Sequence, residues 1–540
     1  MFGTRKKIET MVRTSFGKNP MEGYLYYNAE GRMDEVRRLH DALREMPEET
    51  GTIKWEVDDI TWNDLEMDRI FQRVNHTNSF IGEQVLYRKM HLLNQDKSAD
   101  RIEDFEKKLA YLKENPDERL EMELRLNGIG KHYEGYYLAE FLLNSDWWKC
   151  GNVLLYHTLQ VFLVICFIGT VVFENPVAIV GLVLIALVNL MIYLFTKQKY
   201  EIYFSTLVDF KRIYDFSRWM EKKDRNNNIF VTEDVKRAIG KLNGMSRAIL
   251  GMDGRREASM TGDAVAILRE YIWGIFLIDV SMFNHIMRII NDKQGEVITL
   301  LNFTGEIDGD ISILSYRESV SGWCRPEFVQ SGIAVEGIAH PLITVPVKND
   351  FNLCNRAIIT GANASGKSTF MKAMAINCIL AQTIHTCMAD RMRLQPIRIA
   401  TCMALRDDIM TGESYYFREA KCIKRMLDLA VKESSVLLVI DEILKGTNTD
   451  ERVAASKAIL EYVSNTKCLV LVATHDIELT DCNAYTDYHF CSKIQGKDIV
   501  FDYLIHGGTA KQSNAIALLS YLGYPDTIVE KAKVNLRENR

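Results

Sequence analysis

Ala357-Ile358-Ile359-Thr360 runs straight into Gly361-Ala362-Asn363-Ala364-Ser365-Gly366-Lys367-Ser368, and the two pieces explain each other. The first is a short apolar strand. The second has the spacing GxxxxGK[ST], in which each part has a job. Gly361 and Gly366 let the backbone turn so that successive N–H groups face phosphate oxygens. Lys367 is placed to reach the β- and γ-phosphates, and the Ser368 hydroxyl to ligand Mg²⁺. A helix is predicted from Ser368 to Thr386, and its positive end points at the anion. Thr369 lies in its first turn.

Working outward, two more apolar runs follow. Val436 to Ile440 ends in Asp441-Glu442, and Leu469 to Ala473 ends in Thr474-His475-Asp476. Unbroken apolar strands suit a parallel sheet covered on both faces. A carboxylate pair closing such a strand is the Walker B arrangement. Asp441 is expected to hold the Mg²⁺ shell, and Glu442 to orient and polarise the attacking water. The bland alternative is two solvated acids at a strand end, and Lys367 weighs against it. His475 by itself would be structural; after a third core strand it becomes a candidate sensor of the γ-phosphate. Catalysis is therefore assigned to Glu442, His475 and Lys367, with ATP and Mg²⁺ as the implied ligands.

The middle of the chain has a different character. Val153 to Phe173 and Val177 to Phe195 carry no charged side chain, and only Glu174-Asn175-Pro176 separates them. At 1.5 Å per residue each run spans roughly 28–32 Å, about the thickness of a bilayer core. Trp147, Trp148 and Tyr193 stand near the ends, where amphipathic rings favour the interface. Lys149, Lys197 and Lys199 flank the pair, whereas the turn holds only Glu174. The positive-inside rule then puts both soluble parts in the cytoplasm and the turn outside, with residues 152–196 as a two-span anchor in the cytoplasmic membrane. The competing reading is a pair of buried helices in a soluble core. His157, Gln160 and Asn189 interrupt the apolar pattern, too few ionisable groups for a transport path.

The 540 residues imply several domains. The composition, 47% hydrophobic and 26% charged, is globular, and the net charge of -6 offers no general attraction for nucleic acid. Eleven cysteines, none at CxxC spacing, read as reduced buried thiols. The first residues lack an apolar core, so no cleaved signal peptide is expected. Residues 60–145 and 200–300 have helical spacing; one long helix is predicted over 264–291, and polar breaks at 222–228 and 252–256. Sustained strand-like patterning starts only after about 330. The predicted order is an N-terminal helical segment (1–55), a first helical part (56–150), the hairpin (151–197), a second helical lever part (198–328) and an α/β P-loop domain (329–540).

These motifs resemble the MutS family of ABC-type ATPases. TGANASGKSTFMKAMAINCILAQ is similar to that family's glycine loop and helix, LLVIDEILKGTNTDERVAAS to its Walker B segment, and LVATHDIELT to its His switch. GGTAKQSNAIALLSYLGYPDTIVEKA is similar to its C-terminal segment, and GESYYFREAKCI to the stretch that meets a neighbouring subunit's ATP. Upstream, GIAHPLI, EIDGDISILSYRESVSGWCRPEF and NHTNSFIGEQVLYRKMHLL resemble the lead-in and the helical core. The resemblance implies an ABC-type ATPase domain after an all-α core interrupted by the transmembrane hairpin. It places Asn363 and Thr369 with the phosphate loop, and puts Ser414 at a position acting in trans, hence a homodimer with two interfacial ATP sites. Ala362, Ala364 and Ser365 depart from the family's usual loop residues, but at backbone positions. The family's DNA-reading domains and Phe-x-Glu wedge have no counterpart here, and the hairpin stands where a DNA clamp is expected. DNA, mismatched or branched, is a partner by resemblance only; the alternative is a membrane-tethered switch or scaffold without a DNA role. An ABC-transporter half is disfavoured, because no LSGGQ-like signature is found and two spans make no path.

Overall fold

The structure is a computed structural model and describes residues 2–22, 31–44, 55–93, 99–144, 152–260, 271–362, 365–403, 415–495, 498–509, 516, 519 and 523–538. The chain forms two compact units. One comprises Met1–Glu49, Asn75–Arg88 and Asp104–Tyr316; the other comprises Thr50–Val74, Lys89–Glu103 and Arg317–Arg540.

Among its described residues the first unit has helices and no strand. Its core is knitted by buried polar groups as well as apolar ones. Asp308, on the helix Gln294–Glu318, accepts from Asn78 N, Ser79 N and Ser79 Oγ, and so caps the helix Phe80–His91 from a distant part of the chain. Glu83 is fully buried and held ionised by Lys131 and Arg32, against burial, which pushes the other way. Tyr136 and Asn75 donate to it.

The hairpin belongs to this unit. Asn152 caps the helix Val153–Phe173 through Leu154 N and Leu155 N, and Glu174, at φ 48°, ends it. Asn175 caps the next helix and Pro176 starts it with a preset φ. Small residues let the two helices approach: Gly169 faces Ala178, and Gly181 faces Cys166. The second helix continues without interruption from Pro176 to Lys223. Val153–Phe173 and Pro176–Lys197 are both long and apolar enough to cross a membrane, with mean hydropathy 2.0 and 2.8. Only 11% of each span is buried within the chain. A core helix of a soluble protein has the opposite pattern, its apolar faces covered.

Two expectations in this region are corrected. The chain does not form one helix over 264–291: residues 271–275 are helical, 276–277 turn, and a new helix runs Ile278–Asp292. Leu277 sits at φ 50°, and the carbonyls of Ile275 and Phe276 are taken by Asn189 and Gln160 instead of by a next helical turn, whereas Leu277 O accepts from Ser281 N and starts the following helix. Nor does the chain break at 252–256, because the helix Glu233–Met260 passes through it. Glycine within a helix costs about 1 kcal/mol but keeps its N–H, so Gly254 does not end one as proline would. The predicted break at 222–228 is present. There Asp224 accepts from the backbone of Ile229, Phe230 and Val231.

The second unit is mixed α/β. Two short strands, β1 (Trp55–Glu56) and β2 (Leu92–Leu93), pair antiparallel. Four strands, β3 (Pro326–Phe328), β4 (Ile333–Ile338), β5 (Asn349–Leu353) and, further on, β7 (Arg391–Leu394), form a small sheet in the order β3-β7-β4-β5. The main sheet has β6 (Arg356–Gly361), β8 (Arg398–Cys402), β9 (Val436–Asp441), β10 (Leu469–Ala473), β11 (Thr486–Gln495) and β12 (Asp498–Gly507) in the order β12-β11-β6-β10-β9-β8. All its pairings are parallel except that of β11 with β12. The helix Lys367–Thr383 is buried along most of its length, as a helix under a parallel sheet must be. Residues 55–74 join this unit through polar contacts. Asp64 accepts from Thr401 Oγ1 and Met403 N, at the end of β8, and Arg425 pairs with Asp58.

Candidate functional site

Strand register builds the site. Ala473 on β10 stands opposite Ile359 on β6 and opposite Asp441 on β9. The residues that follow these three positions leave the sheet at one edge. They are the glycine loop, Thr474-His475 and Glu442. Ligand sites of open parallel sheets form at this carboxyl edge.

Lys367 Nζ donates to Gly361 O at 2.7 Å and to Ala362 O at 2.9 Å, and lies 3.5 Å from His475 Nε2. Burial pulls Lys367 down to about 8, against Asp441 and Glu442, which pull it up. Ser368 Oγ donates to Asp441 Oδ2 at 2.7 Å. His475 Nε2 lies 3.0 Å from Glu442 Oε1. That contact, more than any other, holds the Glu442 carboxyl below its usual range; Lys445 and Lys367 add to it, and burial opposes. Glu442 therefore stands ionised at neutral pH.

Two backbone features show how tightly the loop ends are constrained. Gly361 adopts φ 144° and Gly366 φ 104°, and a Cβ on Gly361 would lie 2.8 Å from Phe490 O. Glu442 and Leu444 are not glycines yet adopt φ 63° and 57°. Such left-handed residues cost about 1–3 kcal/mol each and persist where the surroundings over-determine them. Here Glu442 N donates to Ala473 O, and Glu419 Oε1 accepts from Lys445 N.

The cavity in front of these groups encloses about 540 Å³, within the range of small-molecule sites. One wall is polar, from Gly366, Lys367, Ser368, Thr369, Asp441, Glu442 and His475. The other is apolar, from Ile338, Ile343, Val345, Phe490 and Tyr503, with His340 beside them. Burial pushes His340 down to about 4, so it is neutral at ordinary pH. Ser365 Oγ is buried with no hydrogen-bond partner among the described residues, an orphan at the loop's centre. Among the described residues no cluster of three or more His, Cys, Asp or Glu could hold a metal. Mg²⁺ does not ask for one. It is held by one or two protein oxygens, with phosphates and water completing the shell. The Ser368–Asp441 pair fits that demand.

The sequence-assigned residues Gly366, Lys367, Ser368, Thr369, Asp441, Glu442 and His475 thus surround one cavity, and Gly361 stands behind it, its carbonyl accepting from Lys367 Nζ. Asn363 and Ser414 lie outside the described residues. Sequence reasoning missed the supports. Arg452 grips Asp476 with two bonds of 2.9 and 2.7 Å, and Asp476 N donates to Thr474 Oγ1, which orients the backbone on either side of His475. Glu419 and the apolar wall were also missed. The stretch GIAHPLI carried the one available signal for that wall, and it bears no chemistry readable alone.

The site sets a glycine loop against a carboxylate pair and a histidine. Residues 357–539 match the family model for MutS domain V. Among curated proteins the chain is similar to the DNA mismatch repair protein MutS of Lachnoclostridium phytofermentans, 30% identical over 278 residues, covering 48% of this chain and 30% of that protein. It is similar to the same-named protein of Natronomonas pharaonis, 33% identical over 262 residues, covering 45% and 30%. With that of Thermotoga maritima it is 28% identical over 275 residues, covering 48% and 34%. Over residues 357–539 the chain is similar to MutS domain V, and it covers about a third of the length of the curated relatives it matches.

Proposed function

We propose that this protein is a MutS-type ATP hydrolase anchored in a membrane by its helical hairpin. The observation that carries the enzymatic part is the convergence of Lys367, Ser368–Asp441 and Glu442–His475 on one cavity. The loop N–H groups and Lys367 bind the phosphates, and Ser365 Oγ gains an acceptor. Ser368 and Asp441 would hold Mg²⁺, which would supply charge neutralisation for the phosphates. Glu442 takes a proton from the attacking water, and His475, at its carboxylate, reads the γ-phosphate. The apolar wall at Ile343, Val345 and Tyr503 receives the nucleoside. Ser414 completes the partner's site, so the working form is a homodimer.

Glu442→Gln is expected to keep nucleotide binding and to lower turnover by about 10²–10⁴, the usual contribution of a general base. Turnover equal to wild type would remove Glu442 from that role. Lys367→Ala is expected to abolish nucleotide binding.

The exposed apolar faces of the two spans support the anchor. The relatives' shared name, DNA mismatch repair protein, supports a DNA client. Electrophoretic shifts with duplex, branched and mismatched DNA over a salt series test it, because phosphate contacts weaken steeply as salt rises. Absence of any shift would favour a membrane-tethered ATP-driven switch.

A further inference from the structure

Gln160 and Asn189 are amides inside otherwise apolar spans, and both reach the same short piece of backbone. Gln160 Nε2 donates to Phe276 O at 2.9 Å, to Leu277 O at 3.3 Å and to Ser281 Oγ at 2.9 Å. Asn189 Nδ2 donates to Ile275 O at 2.8 Å. These carbonyls sit where the helix is interrupted, at the end of residues 271–275 and through the turn at 276–277. Leu277 O also accepts from Ser281 N, the first bond of the following helix, but Ile275 O and Phe276 O are the last carbonyls of the interrupted helix and have no partner of their own. In water the solvent supplies donors; in hydrocarbon each unsatisfied group costs several kcal/mol, and broken helices are tolerated only where other groups re-satisfy them.

The depth of the break follows from counting. Each amide lies thirteen residues from the turn end of its helix, Phe173 or Pro176. That is about 20 Å from the turn in an apolar core of about 30 Å, hence roughly 10 Å inside the opposite face. The segment's composition matches that place. Tyr271 to Ile278 carries no charge. Gly274 lies flat against the buried ring of Tyr193, where a Cβ would come 2.5 Å from Cδ1. On the other side Tyr271 and Ile272 are 47% and 45% exposed, adding to the uncovered apolar surface of the spans.

We propose that Tyr271–Leu277 is a third lipid-contacting element, an elbow that dips into one leaflet and is latched to the hairpin by Gln160 and Asn189. The proposal rests on the membrane reading of the hairpin. Its occupant is lipid acyl chain, argued from the depth and from the continuity of the two apolar surfaces. The helix Ile278–Asp292 therefore starts from within the bilayer, which gives the helical unit a third attachment beside the two spans.

The test uses the full chain in phospholipid vesicles, with a benzophenone amino acid placed at Ile272, at Ile165 in the first span, or at Arg237 on the exposed helix Glu233–Met260. Irradiation followed by mass spectrometry is expected to give lipid adducts at 272 and 165 and none at 237. An adduct at 165 without one at 272 overturns the elbow and leaves the anchor standing. Adducts at neither overturn both. Adding Gln160→Leu and Asn189→Leu is expected to lose the adduct at 272 while keeping that at 165; an undiminished adduct at 272 overturns the latch.

Discussion

Lys367 occupies the place where opposing demands meet. It hydrogen-bonds two carbonyls of its own loop and is pulled down to about 8 by burial. ATP phosphates favour the charged ammonium and push the other way. Binding is therefore expected to draw a proton onto Lys367 at and above pH about 8, and affinity to fall as the pH rises past that value. Calorimetry in buffers of different ionisation enthalpy measures this directly; proton release, or none, would show that Lys367 is not the phosphate contact. Arg452→Ala belongs to the same scale. Loss of its two bonds to Asp476 frees the His475 loop, so turnover is expected to fall by about tenfold or more, the effect of a slightly misplaced group, with nucleotide affinity largely kept.

At the scale of elements, the helical unit is held by close approaches that leave no spare volume. A Cβ on Gly82 would overlap the carboxylate of Asp308, the group that caps the helix Phe80–His91 from afar. Gly82→Ala is expected to destabilise the protein by about 1–3 kcal/mol through overpacking, read as a lowered Tm. Glu123 behaves in the opposite sense. Burial pushes it up to about 7, against Arg119, so the folded chain prefers it neutral. Its cost is absent below the ordinary carboxylate range, grows as pH rises toward 7, and is then constant. Glu123→Gln is expected to raise Tm at pH 8 by an amount corresponding to about 1–3 kcal/mol and to leave it unchanged at pH 4. Equal shifts at both values would contradict the assignment.

For the whole molecule, the hairpin and the nucleotide cavity are the two features that any account must join. The helix Pro176–Lys223 makes the second apolar segment and part of the helical core one rod of about 72 Å, so force on one end reaches the other without a hinge. An anchored protein is expected to stay in the membrane pellet after alkaline carbonate extraction; recovery in the supernatant would refute the anchor. A cysteine placed at Asn175 is expected to react with an impermeant maleimide from outside, as the flanking lysines dictate. Labelling only after permeabilisation would reverse the orientation.

The two apolar helices and the glycine loop were legible in the amino-acid order because both are local. One depends on length without charge, the other on residue spacing at a strand end. The sequence by itself therefore pointed to the two apolar helices and to Lys367, Ser368, Asp441 and Glu442, which the fold brings to one cavity. Other features were decided by tertiary structure alone. Register across β6, β10 and β9 sets His475 beside Glu442, and Arg452 holds it there from a separate helix. Residues 55–74 join the C-terminal unit through Asp58 and Asp64. The helix predicted over 264–291 is interrupted at 276–277, where Gln160 and Asn189, more than eighty residues away, capture the carbonyls of Phe276 and Ile275. Each of these is a contact between groups far apart in the chain. Hydrophobic period and motif spacing do not encode such pairs, and packing chooses them only when the elements meet.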